Sequence, residues 1–385
     1  MSRHYLDNAA TSWPKPEGVY EAVDRYQRES GVAVGRGATR RGSELQRTVD
    51  RCRARAATLL GAGAAAQIVF GCGGTDVLNL AIHGLLRSAS HVVTTDAEHN
   101  SVLRPLQTAH DRLGVAVDFC PVDAEGTIDP ANIDRLCRPE TELIVVSHVS
   151  NVTGTIQPLA EIAALARQRG ITLLVDAAQS AGHIPIDVKS LGIDLLACSG
   201  HKGLLGPLGT GLLYIRPGLE ARLLPIRQGG TGTHSEEATQ PTTLPDRYES
   251  GNHNAPGLVG LDAALGWILE RGVDSIRQHE RELFNQFLDG LDALPEVQVH
   301  GPRDVDRRSG PVSVTIAGYS PQDAAAILDN HFDIETRAGF HCAPRIHSAI
   351  GTLSTGGTLR LSPGCFTTTS DIAHTLDALT QLVLI

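Results

Sequence analysis

The sequence predicts an α/β protein: a mostly parallel sheet covered by helices on both faces, followed by a smaller α+β domain. Three observations carry this. Between about residues 65 and 215, short apolar runs alternate with helical patterns. The runs are rich in Val, Ile and Leu without polar alternation, as strands buried on both faces are. After about residue 255 the pattern gives way to long amphipathic helices with two strand-like runs. A chain of 385 residues is long enough for two or three domains.

In chain order, "RRGSELQRTVDRCRARAATLL" opens as a helix whose apolar face is Leu45, Val49, Cys52, Ala56 and Leu59. Arg47, Arg51 and Arg55 form a stripe elsewhere on it, read as a solvated face. The predicted buried strands are "QIVF", "HVVTT", "VAVDF", "ELIVVS", "ITLLVD" and "DLLACS". Among the helices between them, the one after Pro158 places Leu159, Ile162, Ala163 and Ala166 on one face. "QGGTGTHSEEATQPTTLPDRYESGNHN" follows, a long Gly/Thr/Ser/Pro-rich stretch of the kind that is functional or disordered. A long helix then uses Ile276, Leu283, Phe284, Phe287, Leu288 and Leu291. Strand-like runs lie around "GPVSVTI" and "FDIETR", and the last helix presents Ile372, Leu376, Leu379 and Val383. The expected division is a large α/β domain over 15–254 and a small α+β domain over 255–385, joined by the N-terminal segment 1–14.

A formal charge of −10 argues against nucleic acid or an anionic membrane as the main partner. Seven scattered cysteines with no CxxC pair fit a reducing compartment. The start, "MSRHYLDNAATSWPKP", has no apolar stretch of signal-peptide length, and no run approaches the ~18 apolar residues of a membrane span. A cytoplasmic protein is expected.

In open parallel sheets, ligands bind outside the carboxyl ends of the strands. Those ends carry "GCGGTD", "DAEHN", "SHVSN", "DAAQ" and "SGHK", a set dense in polar residues. "VFGCGGTDVLNLAIHGLL" reads as a strand, a glycine turn and a helix opening near Thr75, with Gly74 letting the backbone come close to an anion. It has neither the GxGxxG spacing of a dinucleotide site nor the GK[ST] ending of a P-loop. The chain has three lysines against thirty arginines, and Lys202 is the one charged side chain in "LLACSGHKGLLGPLGTG". Lysine, unlike arginine, loses its proton when desolvated and becomes a nucleophile or base. Asp176 ends the preceding strand. A phosphate seat, a carboxylate and a lysine at neighbouring strand ends fit pyridoxal phosphate: the lysine forms the imine and the acid pairs with the pyridinium nitrogen.

With these residues in place, the chain resembles the class V, fold-type-I pyridoxal phosphate enzymes of the cysteine desulfurase (NifS/SufS-like) group. The resemblance runs nearly end to end, through "YLDNAAT", "EHNSV", "HVSNVTGT", "VDAAQSAGH", "SGHKGLLGPLGTG", "RAGFHCAP" and "LRLSPGCF". It implies a mainly parallel seven-stranded sheet in the large domain. It implies Lys202 as the Schiff-base lysine, Asp176 as the pyridinium partner, and His99 stacked on the ring and aiding proton transfer. By the same resemblance Gln179 bonds the phenolic oxygen, and Asn151 lies near substrate and ring. Gly74, Thr75, Ser199 and His201 hold the phosphate, and Arg360 clamps the substrate carboxylate with its bidentate fork. Arg337 joins Arg360 and Asn151 on the substrate side.

Reaction type turns on "RAGFHCAPRIH". A nucleophilic cysteine needs thiolate character, which nearby cationic groups promote. Cys342 has His341 beside it and Arg337 five positions earlier. His341, Cys342 and His347 give only three candidate metal ligands, so no metal is expected. The resemblance makes Cys342 the persulfide-forming nucleophile of a desulfurase that turns L-cysteine into L-alanine and passes sulfur to an acceptor protein or small thiol. The surrounding segment is similar to the SufS-like branch more than to the branch with a long, flexible cysteine loop. The alternative is a pyridoxal-phosphate C–S β-lyase acting on an S-substituted cysteine, which does not need Cys342. Asn252 stands where the family usually has a threonine that reaches the partner subunit's cofactor phosphate, so a homodimer is implied. Cys365 and Thr367 replace a commonly aromatic residue and a commonly Asn position near Arg360, which points to a larger or modified substrate.

Overall fold

A computed structural model describes residues 3–35, 39–233 and 236–384. Its larger sheet has seven strands, in the order Ile68–Gly71, Gly211–Ile215, Leu195–Ser199, Thr172–Asp176, Thr141–Ser147, His91–Thr95 and Ala116–Cys120. Six run parallel, and Gly211–Ile215 is antiparallel to both neighbours. All six predicted strands are present. The seventh, "GLLYI", is the return arm of the loop that holds Lys202.

The lack of polar alternation in these strands has a direct cause. Leu173 and Val175 enter the hydrophobic core on one face of the sheet, while Leu174 between them enters the core on the other. Ile144 and Val146 split from Leu143 and Val145 in the same way. Both faces are therefore dry. Helices Gly74–Leu85 and Asn100–Leu113 cover one face; Arg40–Leu59, Leu159–Arg169 and Ala255–Arg271 cover the other.

The second sheet is antiparallel, in the order Arg337–Gly339, Thr358–Leu361, Val312–Ile316, Val297–His300. It packs with helices Val273–Asp292, Pro321–Phe332 and Thr369–Val383 around a third core. All six residues expected on the long helix are buried, whereas on the last helix Leu382 is buried and Val383 only partly. The "FDIETR" run divides into Ile334–Glu335, which pairs with His4–Tyr5, and Arg337–Gly339. Strands Val297–His300 and Thr358–Leu361, four residues each, were too short to stand out by periodicity. The N-terminal segment docks beside this sheet, with Leu6 fully buried in its core.

The arginine stripe departs from the expected solvated face. Arg47 is exposed, but Arg51 and Arg55 both hydrogen-bond the Asp262 carboxylate on the helix Ala255–Arg271, Arg55 at 2.7 Å. Arg53, between them, is buried and forks onto Glu249 with Nη1 and Nη2 at 2.6 and 2.8 Å. Glu249 also accepts the Phe70 N–H, so the long loop ending at residue 254 is tied to the strand leading into the glycine turn.

Candidate active site

A cleft of about 620 Å³ opens at the carboxyl ends of the parallel strands. Of the thirteen residues given a catalytic, cofactor or substrate role from the sequence, its lining includes eleven: Gly74, Thr75, His99, Asn151, Asp176, Gln179, Ser199, His201, Lys202, Arg337 and Arg360, with His341 beside them. Strand order explains the convergence. The parallel strands end on the same rim, and the residues that follow them line the cleft, while Arg337 and Arg360 come from the second sheet.

Lys202 lies on the tight loop after Leu195–Ser199, where the Gly206 N–H donates to the Gly200 carbonyl at 2.7 Å. Burial pulls its amine down to about 8, against the opposing pull of Asp176, with Arg360 and Arg337 adding to the fall. Asp176 is 6% exposed and accepts the Ala178 N–H at 2.9 Å. Burial raises its pKa, and that hydrogen bond and Lys202 act against the rise.

Gly73 caps helix Gly74–Leu85 without a side chain, and Asp76 in the first turn folds back to accept the Cys72 N–H at 2.8 Å. A β-carbon on Gly74 would fall 2.3 Å from Ser199 Oγ, so only glycine brings the helix start this close to the serine. The Thr75 hydroxyl lies 2.8 Å from Ser101 Oγ at the start of the neighbouring helix. His201 Nδ1 is buried beside this seat without a hydrogen-bond partner among the described residues.

His99 is the N-cap of helix Asn100–Leu113, and its Nδ1 accepts the Ser101 N–H at 3.0 Å. The ring proton therefore sits on Nε2. Burial, reinforced by Lys202, Arg337, Arg360 and Arg104, lowers its pKa to about 4, so the ring is neutral at pH 7. Gln179 donates from Nε2 to the Ala9 carbonyl at 2.9 Å, which leaves a second amide hydrogen and the amide oxygen.

Arg360 is 1% exposed. Its Nη2 donates to Asp7 Oδ1 at 2.7 Å and its Nη1 to the Asn151 carbonyl at 3.1 Å, while Nε is buried and unpartnered among the described residues. Arg337 is its register partner on the next strand. Sequence reasoning did not single out Asp7, although it stands in the quoted "YLDNAAT"; nor did it find Glu98. The Glu98 carboxylate is fully buried and accepts from the Thr95 hydroxyl and from the Ser147 N–H and hydroxyl.

Cys342 stands just outside the lining, exposed, with its sulfur 3.5 Å from Arg337 Nη2. His341 and Cys342 are both left-handed, at φ 50° and 59°, a conformation non-glycine residues adopt at a cost. Three contacts hold the turn. Asn151 Nδ2 donates to the His341 carbonyl at 2.6 Å, the Asn100 N–H donates to the Cys342 carbonyl at 2.7 Å, and His341 Nε2 lies 2.9 Å from Thr358 Oγ1. Burial, with Arg360, His347 and Arg337 adding to it, pushes the His341 pKa down to about 2. His341 is thus neutral, and the cationic group at the thiol is Arg337 alone of the two suggested by sequence.

Asn252 does not line the cleft. It is exposed and borders a small cavity of about 50 Å³ that shares Cys72 and Gly209 with it. Cys365 and Thr367 do not border the cleft either. Cys365 packs against the larger core, and Thr367 Oγ1 accepts the Gly364 N–H at 2.9 Å. No cluster of three or more metal-ligating side chains occurs among the described residues, and no helix among them is long and apolar enough to cross a membrane.

The family described as "Aminotransferase class-V" matches residues 4–374. A probable cysteine desulfurase of Pyrococcus abyssi is 35% identical over 388 residues, spanning 98% of this chain and 94% of the relative. The apo structure of a cysteine desulfurase from Thermococcus onnurineus NA1 superposes with a TM-score of 0.93 at 35% identity, covering 99% of this chain and 95% of that one. The Escherichia coli cysteine desulfurase CsdA, in a crystal structure labelled S-sulfonic acid, gives 0.89 at 30% identity, covering 100% and 95%.

Proposed function

The chain belongs to the class-V aminotransferase family, and on that premise we propose that it is a pyridoxal-phosphate-dependent cysteine desulfurase acting through Cys342. The carrying observation is a cysteine sulfur 3.5 Å from an arginine that lines the same cleft as a desolvated lysine and a buried aspartate. A plain lyase has no use for that thiol.

The residues fit the cofactor. Gly74, Thr75, Ser199 and His201 form a glycine-cut seat at a helix start with an unpartnered imidazole nitrogen, suited to a phosphate. Asp176 would keep a proton on a pyridine nitrogen, and neutral His99 would offer it a flat, uncharged ring. Gln179 and Asn151 supply amide donors at the side. When bound, the cofactor serves as the electron sink for the α-carbon of the amino acid.

The chain's own groups do the rest. Arg360 binds the substrate carboxylate, with Arg337 alongside. Lys202 Nζ, its pKa near 8, takes the α-proton of L-cysteine. The Cys342 sulfur, as thiolate with Arg337 Nη2 at contact distance, attacks the substrate sulfur. The Cβ–S bond breaks and an S–S bond forms, so L-cysteine and the Cys342 thiol become L-alanine and a Cys342 persulfide. An acceptor thiol then takes the outer sulfur. Asn252, exposed at the cleft's edge, is the residue that would reach a second subunit's phosphate in a homodimer, and a cytoplasmic setting suits seven free cysteines.

Incubation with L-cysteine and a reductant, assaying alanine, sulfide and pyruvate together, tests this. Alanine and sulfide in equal amounts are expected. Pyruvate in place of alanine would give the site to the C–S lyase reading.

A further inference from the structure

Beneath the Lys202 loop lies a buried pair that the reaction above does not use. His183 Nδ1 is 2.7 Å from Glu280 Oε1, with side chains 13% and 1% exposed. Glu280 belongs to helix Val273–Asp292, which packs on the second sheet, whereas His183 follows the Asp176 strand of the first. The pair spans the two.

The far edge of the His183 ring meets the lysine loop. A β-carbon on Gly203, the residue after Lys202, would fall 2.4 Å from His183 Cδ2 and 2.5 Å from Nε2. One on Gly182, at φ +88°, would fall 2.1 Å from the Gly203 carbonyl oxygen. The imidazole edge therefore rests on bare backbone beside the lysine, while its opposite nitrogen is fixed by a carboxylate.

Resting on the pyridoxal phosphate reading of the cleft, we propose that His183 is a positioning residue for Lys202, a strut clamped by Glu280 that sets where the lysine's backbone lies. A buried ion pair is a poor source of net stability, since apolar residues of similar volume pack there at lower cost. What it provides is direction: a hydrogen bond fixes the ring's orientation, and the ring's edge fixes Gly203. Burial opposes charge on His183, but Glu280 outweighs that and the repulsion of Arg277, and the imidazole is held protonated to higher pH than usual. Glu280 Oε2 is buried without a hydrogen-bond partner among the described residues, so His183 is its principal neutralising contact.

The experiment compares wild type, His183→Ala and Glu280→Gln as cofactor-loaded proteins. It reads the pH titration of the visible absorption band, which reports the lysine–cofactor linkage, together with kcat and KM for L-cysteine. His183→Ala should move the titration midpoint and lower kcat about tenfold or more, with KM within about twofold, because misplacing one reacting group costs rate before it costs binding. Glu280→Gln, which keeps a hydrogen-bonding group of the same shape, should show the same change in smaller measure and folds if the alanine variant does not. An unchanged midpoint and kcat in either folded variant, with only the melting temperature lowered, would overturn the proposal. A wild type that takes up no pyridoxal phosphate would instead remove the reading beneath it.

Discussion

The two nucleophiles of this molecule are housed in opposite ways. Lys202 sits at the end of a strand buried on both faces, on a loop where glycines at 200, 203 and 206 allow backbone-on-backbone contact. Cys342 sits on an exposed turn of the smaller sheet, in a left-handed conformation that any non-glycine residue adopts reluctantly. Burial lowers the lysine's proton affinity; the thiol is exposed, with the Arg337 guanidinium at contact distance. The difference follows from what each group does. In the proposed reaction the lysine would act on a molecule already enclosed and gain from a fixed place. The cysteine, in the same proposal, would meet the substrate on one side and an outside acceptor on the other.

Substitutions should separate these two settings. The largest effect belongs to Lys202→Ala, which removes the proposed base and covalent anchor of the cofactor. Activity should fall by at least about 10²–10⁴-fold, the share of a general base alone, and a borohydride-reduced adduct should no longer map to residue 202. Mapping of the wild-type adduct to Lys15 or Lys189 would break the assignment. Cys342→Ser should keep the wild-type cofactor spectrum yet lose nearly all alanine formation, because a hydroxyl is a far weaker nucleophile at neutral pH. The wild type should carry a persulfide on the tryptic peptide containing Cys342. Asp7→Ala strips the carboxylate from a buried Arg360; stability should drop by up to about 3 kcal/mol in urea unfolding, and KM for L-cysteine should rise as the guanidinium loses its orientation. The smallest effect concerns pH. The attacking amine must be neutral, and its folded pKa, near 8, lies below the ordinary 10.5. Cofactor uptake by stripped protein should therefore quicken as pH rises towards 8 and level off above it, where an unburied lysine would go on quickening.

The larger sheet was legible because a strand buried on both sides leaves an unmistakable apolar run. Its antiparallel seventh strand was harder to see, for "GLLYI" carries no sign of direction. Lys202 and Asp176 could be read one residue at a time, since a lysine among glycines and an acid closing an apolar run both break a local rule. The cysteine side was legible only in part. Proximity in sequence suggested His341 as a cationic neighbour, but the fold buries that ring against Thr358 and leaves it neutral. The Asp7–Arg360 pair spans 353 positions, and the arginine stripe meets Asp262 from 207 and 211 positions away. Distances of that kind have no periodic signature. Nor did sequence show that Cys365 and Thr367 are absent from the cleft wall, because position along the chain does not decide which side chains line a cleft.

One short contact bears on the proposed departure of sulfur. The Cys342 carbonyl accepts the Asn100 N–H, the first amide of the helix that His99 caps. Swinging the cysteine turn outward would break that bond and disturb the helix start on which His99 depends. The turn is thus a fixed jetty rather than a crane. On the proposed chemistry, a recipient of the sulfur would have to bring its own thiol alongside.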